Sequence, residues 1–219
     1  MKNIILIAAP AAGKGTEAAR IKEEYNIPHI STGDLLRQAR EENTEDASII
    51  AEYQDKGLLV PFNIVLDLLK KRIEKPDCKN GYILDGFPRD LQQAEAYEKI
   101  LSDINRDIGI VIVLDIDKRI AKSRIAGRFT CPNCGKIYNL TGNLKPKVDG
   151  ICDVCSIKLT HRNDDTFETY EERYDTYMKK TSPLIEYYDR KGILYHVDSN
   201  GTPDERHQQV LKILEAFHD

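Results

Sequence analysis

Asn3-Ile4-Ile5-Leu6-Ile7-Ala8-Ala9-Pro10-Ala11-Ala12-Gly13-Lys14-Gly15-Thr16 decides how this chain folds. Its first part, Asn3 to Ile7, is short, apolar and β-branched, the pattern of a buried parallel strand. Residues 17–25 are rich in Ala, Glu, Lys and Arg and predict a helix. Strand, tight loop with Gly13-Lys14, then helix is the layout of a phosphate-binding loop. The cause is physical. The first turn of a helix leaves backbone N–H groups without intrahelical partners, and the helix dipole is positive there. Amides folded around an anion hold a polyphosphate, and Lys14 adds a positive charge. The general pattern G-x-x-x-x-G-K-[ST] asks for glycine at 8 and a hydroxyl at 15; here Ala8 and Gly15 stand there, and the hydroxyl follows at Thr16. Alanine keeps the amide donor, but a left-handed backbone costs it about 1–2 kcal/mol.

Working outward, 219 residues make one large domain or a core with insertions, and 41% hydrophobic content suffices for a core. No stretch approaches the roughly 18 apolar residues of a membrane span. Lys2, the apolar run and Ala9-Pro10-Ala11 imitate a signal peptide but are too short for one, so a cytoplasmic protein is expected. The net charge of −4, with acids and bases mixed, argues against a nucleic-acid-binding surface. Apolar strand patterns alternate with helical ones, which predicts an α/β fold with a doubly wound, largely parallel sheet.

Along the chain, residues 26–30 predict a second strand, and Ser31 or Thr32 can cap the helix that follows, with Asp34 in its first turn. Residues 38–56 are polar and helical; Ile64, Val65, Leu68, Leu69 and Ile73 have helical spacing. Gly81-Tyr82-Ile83-Leu84-Asp85-Gly86-Phe87-Pro88-Arg89 puts Asp85 at the carboxyl end of a strand, where ligands bind in open α/β sheets. A carboxylate there can hold magnesium or its waters, or cap the next turn. Gly86 and Pro88 shape a turn that aims Arg89, whose planar guanidinium suits phosphate. Gln93 follows on a helix begun near Asp90, and a side-chain amide pairs with adenine's edge. Residues 108–114 predict a central strand and 115–127 a helix, on which Arg124 and Arg128, four apart, would share a face as a local anion site.

Cys131-Pro132-Asn133-Cys134, a gap of 17 residues, and Cys152-Asp153-Val154-Cys155 predict a structural zinc site. Four thiolates close a tetrahedron, so the metal holds a small β-rich knob together and leaves no position for a catalytic water. After it, Asp164-Asp165 can cap a long helix carrying an aromatic core stripe of Phe167, Tyr170, Tyr174, Tyr177 and Tyr188, which Pro183 must kink or divide. A strand at 194–197 and a helix at 203–217 close the chain.

Taken in order, Gly13-Lys14-Gly15-Thr16, Ser31-Thr32-Gly33-Asp34, Asp85-Gly86-Phe87-Pro88-Arg89, Gly127-Arg128, the two CxxC pairs and Arg162 with Asp164-Asp165 resemble the adenylate kinases of the long, zinc-lid type over essentially the whole chain. The resemblance implies a P-loop core of residues 1–30, 61–123 and 163–219, a helical monophosphate-binding insertion of 31–60 and a β-rich lid of 124–162. It implies magnesium-dependent phosphoryl transfer from ATP to AMP, giving two ADP, by a monomer. By position, Ala11, Ala12, Gly13, Lys14, Gly15 and Thr16 would hold the donor's phosphates, with Arg124 and Tyr138 nearby. Asp85 would meet magnesium through water. Thr32, Arg37, Leu59, Val60, Gly86, Arg89 and Gln93 would hold AMP, and Arg128, Arg162 and Arg173 would gather at the transferring group. Asp164 and Asp165 would couple lid closure to the site. Ala8 and Ala11 depart from the family's G-x-P-G-x-G-K-G-T, and Phe62, Asp90 and Phe129 stand where an acid, a threonine and an arginine are common. Asp90 would partly offset Arg89's charge where the two side chains meet. The alternatives are a kinase for another nucleoside monophosphate, a nucleotide-binding protein whose altered loop has cost it turnover, and a zinc ribbon for nucleic acid. The last lacks a dense basic stripe.

Overall fold

The computed structural model describes residues 3–42, 45–55, 60–139, 144–161 and 165–217, with the side chains of Gln54 and Asp55 left aside. Leu59, Arg162 and Asp164 lie outside the described residues.

The opening strand, β1 (Ile4–Ala8), leads through the Gly13-Lys14 loop into α1 (Lys14–Tyr25). Next come β2 (His29–Ser31), α2 (Thr32–Glu41), α3 (Ala47–Asp55) and α4 (Phe62–Ile73). Then β3 (Ile83–Asp85), α5 (Leu91–Asp103), β4 (Ile110–Asp115) and α6 (Lys118–Ala126) follow. A hairpin of β5 (Arg128–Thr130) and β6 (Ile137–Asn139) carries the cysteine knob. The chain closes with α7 (Phe167–Thr176), α8 (Pro183–Asp189), β7 (Leu194–Asp198) and α9 (Pro203–Glu215).

Five strands form one sheet in the order β2-β3-β1-β4-β7, every pair parallel. The alternation of side chains along each strand builds two cores. Ile5, Ile7, Leu84, Val111 and Val113 face a layer from α4, α5 and α8 that includes Leu69, Ala94, Tyr97 and Leu184. Ile4, Leu6, Ile83, Ile110, Ile112 and Leu114 face Ala18 and Ile21 of α1 and Val210 and Leu214 of α9. With helices on both faces the sheet is doubly wound, so its strands are apolar on both sides, as β1 and β4 show. From β1 the chain winds to one side, through β2 and β3, then crosses to β4 on the other. That reversal leaves a crevice beyond the carboxyl ends of β1 and β3.

Two boundaries differ from the sequence reading for local reasons, and a third falls where Pro183 predicts it. Glycine at 127 ends α6 one residue earlier, so Arg128 begins β5 and does not share a helical face with Arg124. Thr166, not Asp165, caps α7: its hydroxyl accepts from the Thr169 amide at 3.1 Å. Pro183 starts α8 after a π-helical turn at Tyr177–Thr181, which divides the long helix where proline cannot supply an amide.

Candidate active site

Lys14 opens α1 directly after Gly13, whose φ of 93° places it in the left-handed region. Among the described residues no side chain caps this helix, so its first amides remain available at the crevice. Ala8 is the last residue of β1 and is extended, so its methyl group strains nothing. Ala11 has φ 65°, the conformation in which alanine is strained. The two alanines of the loop are therefore not equivalent.

At the end of β3, Asp85 lies beside Leu6 in register, which brings its carboxylate to the loop. Lys14 Nζ lies 2.7 Å from Asp85 Oδ1, and His29 Nε2 lies 3.2 Å from Oδ2. Burial alone would raise the Asp85 pKa, but the hydrogen bond to His29 and the Lys14 ammonium outweigh it and hold the carboxyl well below the usual carboxylate range. Gly86 follows with φ 80°; a Cβ there would lie 3.2 Å from Thr32 Oγ1 and 3.5 Å from an Arg89 nitrogen. Thr32 Oγ1 and Arg89 Nε both donate to the Gly86 carbonyl, at 3.2 and 2.8 Å. The Gln93 side-chain oxygen accepts from the Arg89 amide at 2.8 Å. Asp90 does not meet Arg89's charge: its carboxylate caps α5 by accepting from the Gln93 amide at 2.9 Å. Thr32, Gly86, Arg89 and Gln93 thus share one corner. Val60 packs with Ala39, Ile50 and Ile64 in the helical segment, and Arg37 pairs with Asp34 on the exposed face of α2.

Arg89 stands on the wall of the cleft with its side chain still exposed to solvent. The protein atoms around it lower its pKa, Asp85 raises it, and the positive charge of Arg173 lowers it again. Arg173 on α7 is thus near enough for its charge to be felt at Arg89. Arg128 binds Asp165 with both ends of its fork, Nε to Oδ2 at 2.6 Å and the second nitrogen to Oδ1. Arg124 donates to the carbonyls of Asn200 and Gly201 at 3.2 and 2.8 Å. The hairpin reaches the loop: a Cβ at Gly15 would lie 3.9 Å from Ile137 Cδ1.

In the knob, the sulfur atoms of Cys131, Cys134, Cys152 and Cys155 all lie within 4.8 Å of one another. Cys134 and Cys152 Sγ are 3.7 Å apart. A tetrahedron with metal–sulfur bonds of about 2.3 Å has edges of about 3.8 Å, so the four residues fit a metal ion of zinc's size. Burial would raise the Cys152 thiol, but the Tyr138 hydroxyl and the amides of Cys155 and Val154 donate to its sulfur and bring it down to about 6. At Cys152 this favours the thiolate that a metal needs, while at Cys134 the Lys136 amide lowers the thiol but burial and the neighbouring sulfurs push it up, as expected where thiols crowd one site. Tyr138 belongs to this cluster. It is 2% exposed and its hydroxyl also accepts from the Asp153 amide at 2.8 Å, so its ring is unavailable to a nucleotide.

One group near the loop has no motif to announce it. Arg206 of α9 is buried against Gly13 and donates to the equally buried Glu17 at 2.8 Å, and Ser199 donates to the Ala12 carbonyl at 2.5 Å. The only sequence signal is an acid directly after Thr16, in the first helical turn, whose partners lie far along the chain.

The adenylate kinase family model matches residues 6–193. Proteins named adenylate kinase are similar over nearly their full length. That of Archaeoglobus fulgidus is 47% identical over 98% of this chain and 97% of its own. Those of Kosmotoga olearia, 45% identical over 97% and 99%, and Caldanaerobacter subterraneus subsp. tengcongensis, 43% over 96% and 95%, match as fully. With the phosphate loop and the carboxylate at the end of β3 meeting in one crevice, and with these relatives matching over nearly the whole chain, the chain belongs to the adenylate kinase family.

Proposed function

We propose that this protein catalyses reversible phosphoryl transfer from magnesium-ATP to AMP, giving two ADP. The observation that carries the reading is the convergence of Lys14, Asp85 and Arg89 at the carboxyl ends of the adjacent strands β1 and β3. Phosphoryl transfer needs little covalent work from a protein; it needs two anions held in line, their charge neutralised and water kept out. The amides of residues 11–16 and Lys14 hold the donor's phosphates, and Thr16 adds a hydroxyl in the first turn of α1. When these phosphates arrive, Lys14 exchanges Asp85 for them, and the freed carboxylate is placed to hold waters of the magnesium ion that arrives with ATP. Magnesium, when bound, neutralises the charge shared by the donor's terminal phosphates.

The corner of Thr32, Gly86, Arg89 and Gln93 takes AMP, together with Arg37, Leu59 and Val60, which the family resemblance assigns to the same nucleotide. Gln93 reads the adenine and Arg89 grips the phosphate. Arg173, beside Arg89, and Arg128 and Arg162 collect the charge that develops during transfer. Arg124 lies toward the donor's base. The hairpin lid over Gly15 excludes water, with Asp164 and Asp165 coupling its closure to the site. The four cysteines would hold a structural zinc, which would make the lid move as a unit. All these groups come from one chain, which supports a monomer, and paired free cysteines suit a reducing compartment such as the cytoplasm.

ADP formation from ATP, magnesium and AMP, repeated with each other nucleoside monophosphate in AMP's place, tests the reading. Turnover that depends on AMP supports it; turnover with another monophosphate alone, or none with any, overturns it.

A further inference from the structure

Against the phosphate loop, between α1 and α9, lies a buried polar relay that the nucleotide reading does not use. Arg206 is 2% exposed, and Glu17 and Ser199 are fully buried. Arg206 Nε donates to Glu17 Oε2 at 2.8 Å, and its Nη1 donates to Ser199 Oγ at 3.4 Å. Ser199 Oγ in turn donates to the Ala12 carbonyl at 2.5 Å. His207 Nδ1 lies 2.6 Å from Glu17 Oε1, and its Nε2 lies 2.9 Å from Glu24. The guanidinium rests on the loop itself: a Cβ at Gly13 would lie 2.6 Å from Arg206 Nη1. The remaining Arg206 nitrogen is buried without a hydrogen-bond partner among the described residues.

We propose that Ser199 and Arg206 are positioning residues of the donor site, which aim the Gly13 amide at the phosphates of ATP. A trans peptide is planar, so its C=O and the following N–H point in opposite directions. The Ala12–Gly13 peptide is trans, since Phe87–Pro88 is the cis bond among the described residues. Its carbonyl is drawn back to Ser199, and the Gly13 N–H therefore points the other way, into the concave side of the loop. Arg206 fixes the Ser199 hydroxyl as a donor to Ala12 by donating to its oxygen, and fills the space beneath Gly13 so that the peptide cannot turn over. Glu17 compensates the arginine in place, and His207 and Glu24 complete the chain to the surface. The hydroxyl and the guanidinium both act through the Gly13 amide and do not touch nucleotide.

The proposal rests on the loop being the donor's phosphate site, and the test separates the two. ATP and AMP dissociation constants are measured by calorimetry for the unaltered protein, Ser199→Ala and Arg206→Lys, together with thermal melting. Losing one aimed amide is expected to weaken ATP by about fivefold to tenfold in Ser199→Ala, with AMP unchanged. Arg206→Lys keeps the charge but loses the fork, and is expected to weaken ATP in the same sense. Unchanged ATP affinity in Ser199→Ala overturns the positioning role and leaves the donor site standing. Equal weakening of ATP and AMP with a fall in melting temperature also overturns it, since that is the mark of a structural role alone. An unaltered protein that binds AMP but no ATP overturns the donor-site reading and this proposal with it.

Discussion

Replacing each loop alanine by glycine separates backbone strain from everything else a methyl group does. Ala8 is extended at the end of β1, and Ala11 has φ 65°. Both are partly buried: Ala8 packs with the α1–α9 side of the sheet, and Ala11 against Ala121, Ile125 and Tyr170. In either variant glycine frees the unfolded chain, which costs about 0.5–1 kcal/mol. In either variant a half-buried methyl is lost, at a further cost of about 0.4 kcal/mol, half the value for a fully buried group. These two costs are common to both variants and cancel in the difference. What remains is the left-handed strain at Ala11, about 1–2 kcal/mol. Ala11→Gly should therefore be near neutral, and Ala8→Gly destabilised by about 1 kcal/mol. For a chain of this size 1 kcal/mol moves the melting temperature by about 2–4 °C, so Ala11→Gly should melt about 2–8 °C above Ala8→Gly. Differential scanning calorimetry of the two single variants reads this directly. If Ala8→Gly melts at or above Ala11→Gly, the strain is not where the backbone places it. The same reasoning assigns any gain in turnover from restoring glycine to position 11 alone.

Asp85 has a folded-state pKa below its ordinary 3.8, so its pairing with Lys14 and His29 stabilises the fold fully above that value and is lost as pH falls through the folded-state value. Asp85→Asn should differ from the unaltered protein in melting temperature above about pH 5 and converge with it in strong acid; a constant difference across the range would refute the assignment. Asp165→Asn leaves Arg128 without its fully buried partner carboxylate and should cost about 3–5 kcal/mol in urea titrations. A loss below about 1 kcal/mol would mean that Arg128 turns out to water. Stripping the metal with a chelator should speed proteolysis within residues 131–160 while the circular dichroism of the sheet core is kept; equal cleavage rates with and without metal would show that the cysteines do not order the knob.

Much of the fold was legible because its signals are local. An apolar run, a Gly-Lys loop and a helix-forming stretch are contiguous, and the alternation of Ile4-Ile5-Leu6-Ile7 between two cores follows from strand geometry alone. Asp85 and Arg89 were legible because the end of a parallel strand is where such sheets bind ligands. The cysteine cluster was legible from spacing. What was missed depends on contacts distant in sequence or on which residue wins a local competition. Arg124 and Arg128 share helical spacing, yet Gly127 between them stops the helix and sends Arg128 to Asp165. Asp90 was read as a counter-charge, and a free amide at the start of α5 claimed it first. Tyr138 carries no mark that separates a ring facing a nucleotide from one sealed beneath a cysteine sulfur. Ser199, Arg206 and Glu17 meet only because β7 and α9 close the sheet beside α1, a consequence of topology that no spacing encodes.

The way the knob leaves the core and returns to it has a consequence for what may be exchanged. Thr130 and Thr160 trade two backbone hydrogen bonds of 2.8 and 2.9 Å, and just outside them Arg128 clasps Asp165. The two ends of the insertion are thus tied to each other before either reaches the sheet. Everything between them is, mechanically, a cassette in a socket. Closing a chain costs free energy that grows only slowly with length, so a shorter metal-free hairpin of matching end geometry could be spliced between Thr130 and Thr160 at little expense to the core. Evolution and the protein engineer meet the same opportunity: the cap can be rewritten while the crevice beneath it is inherited intact.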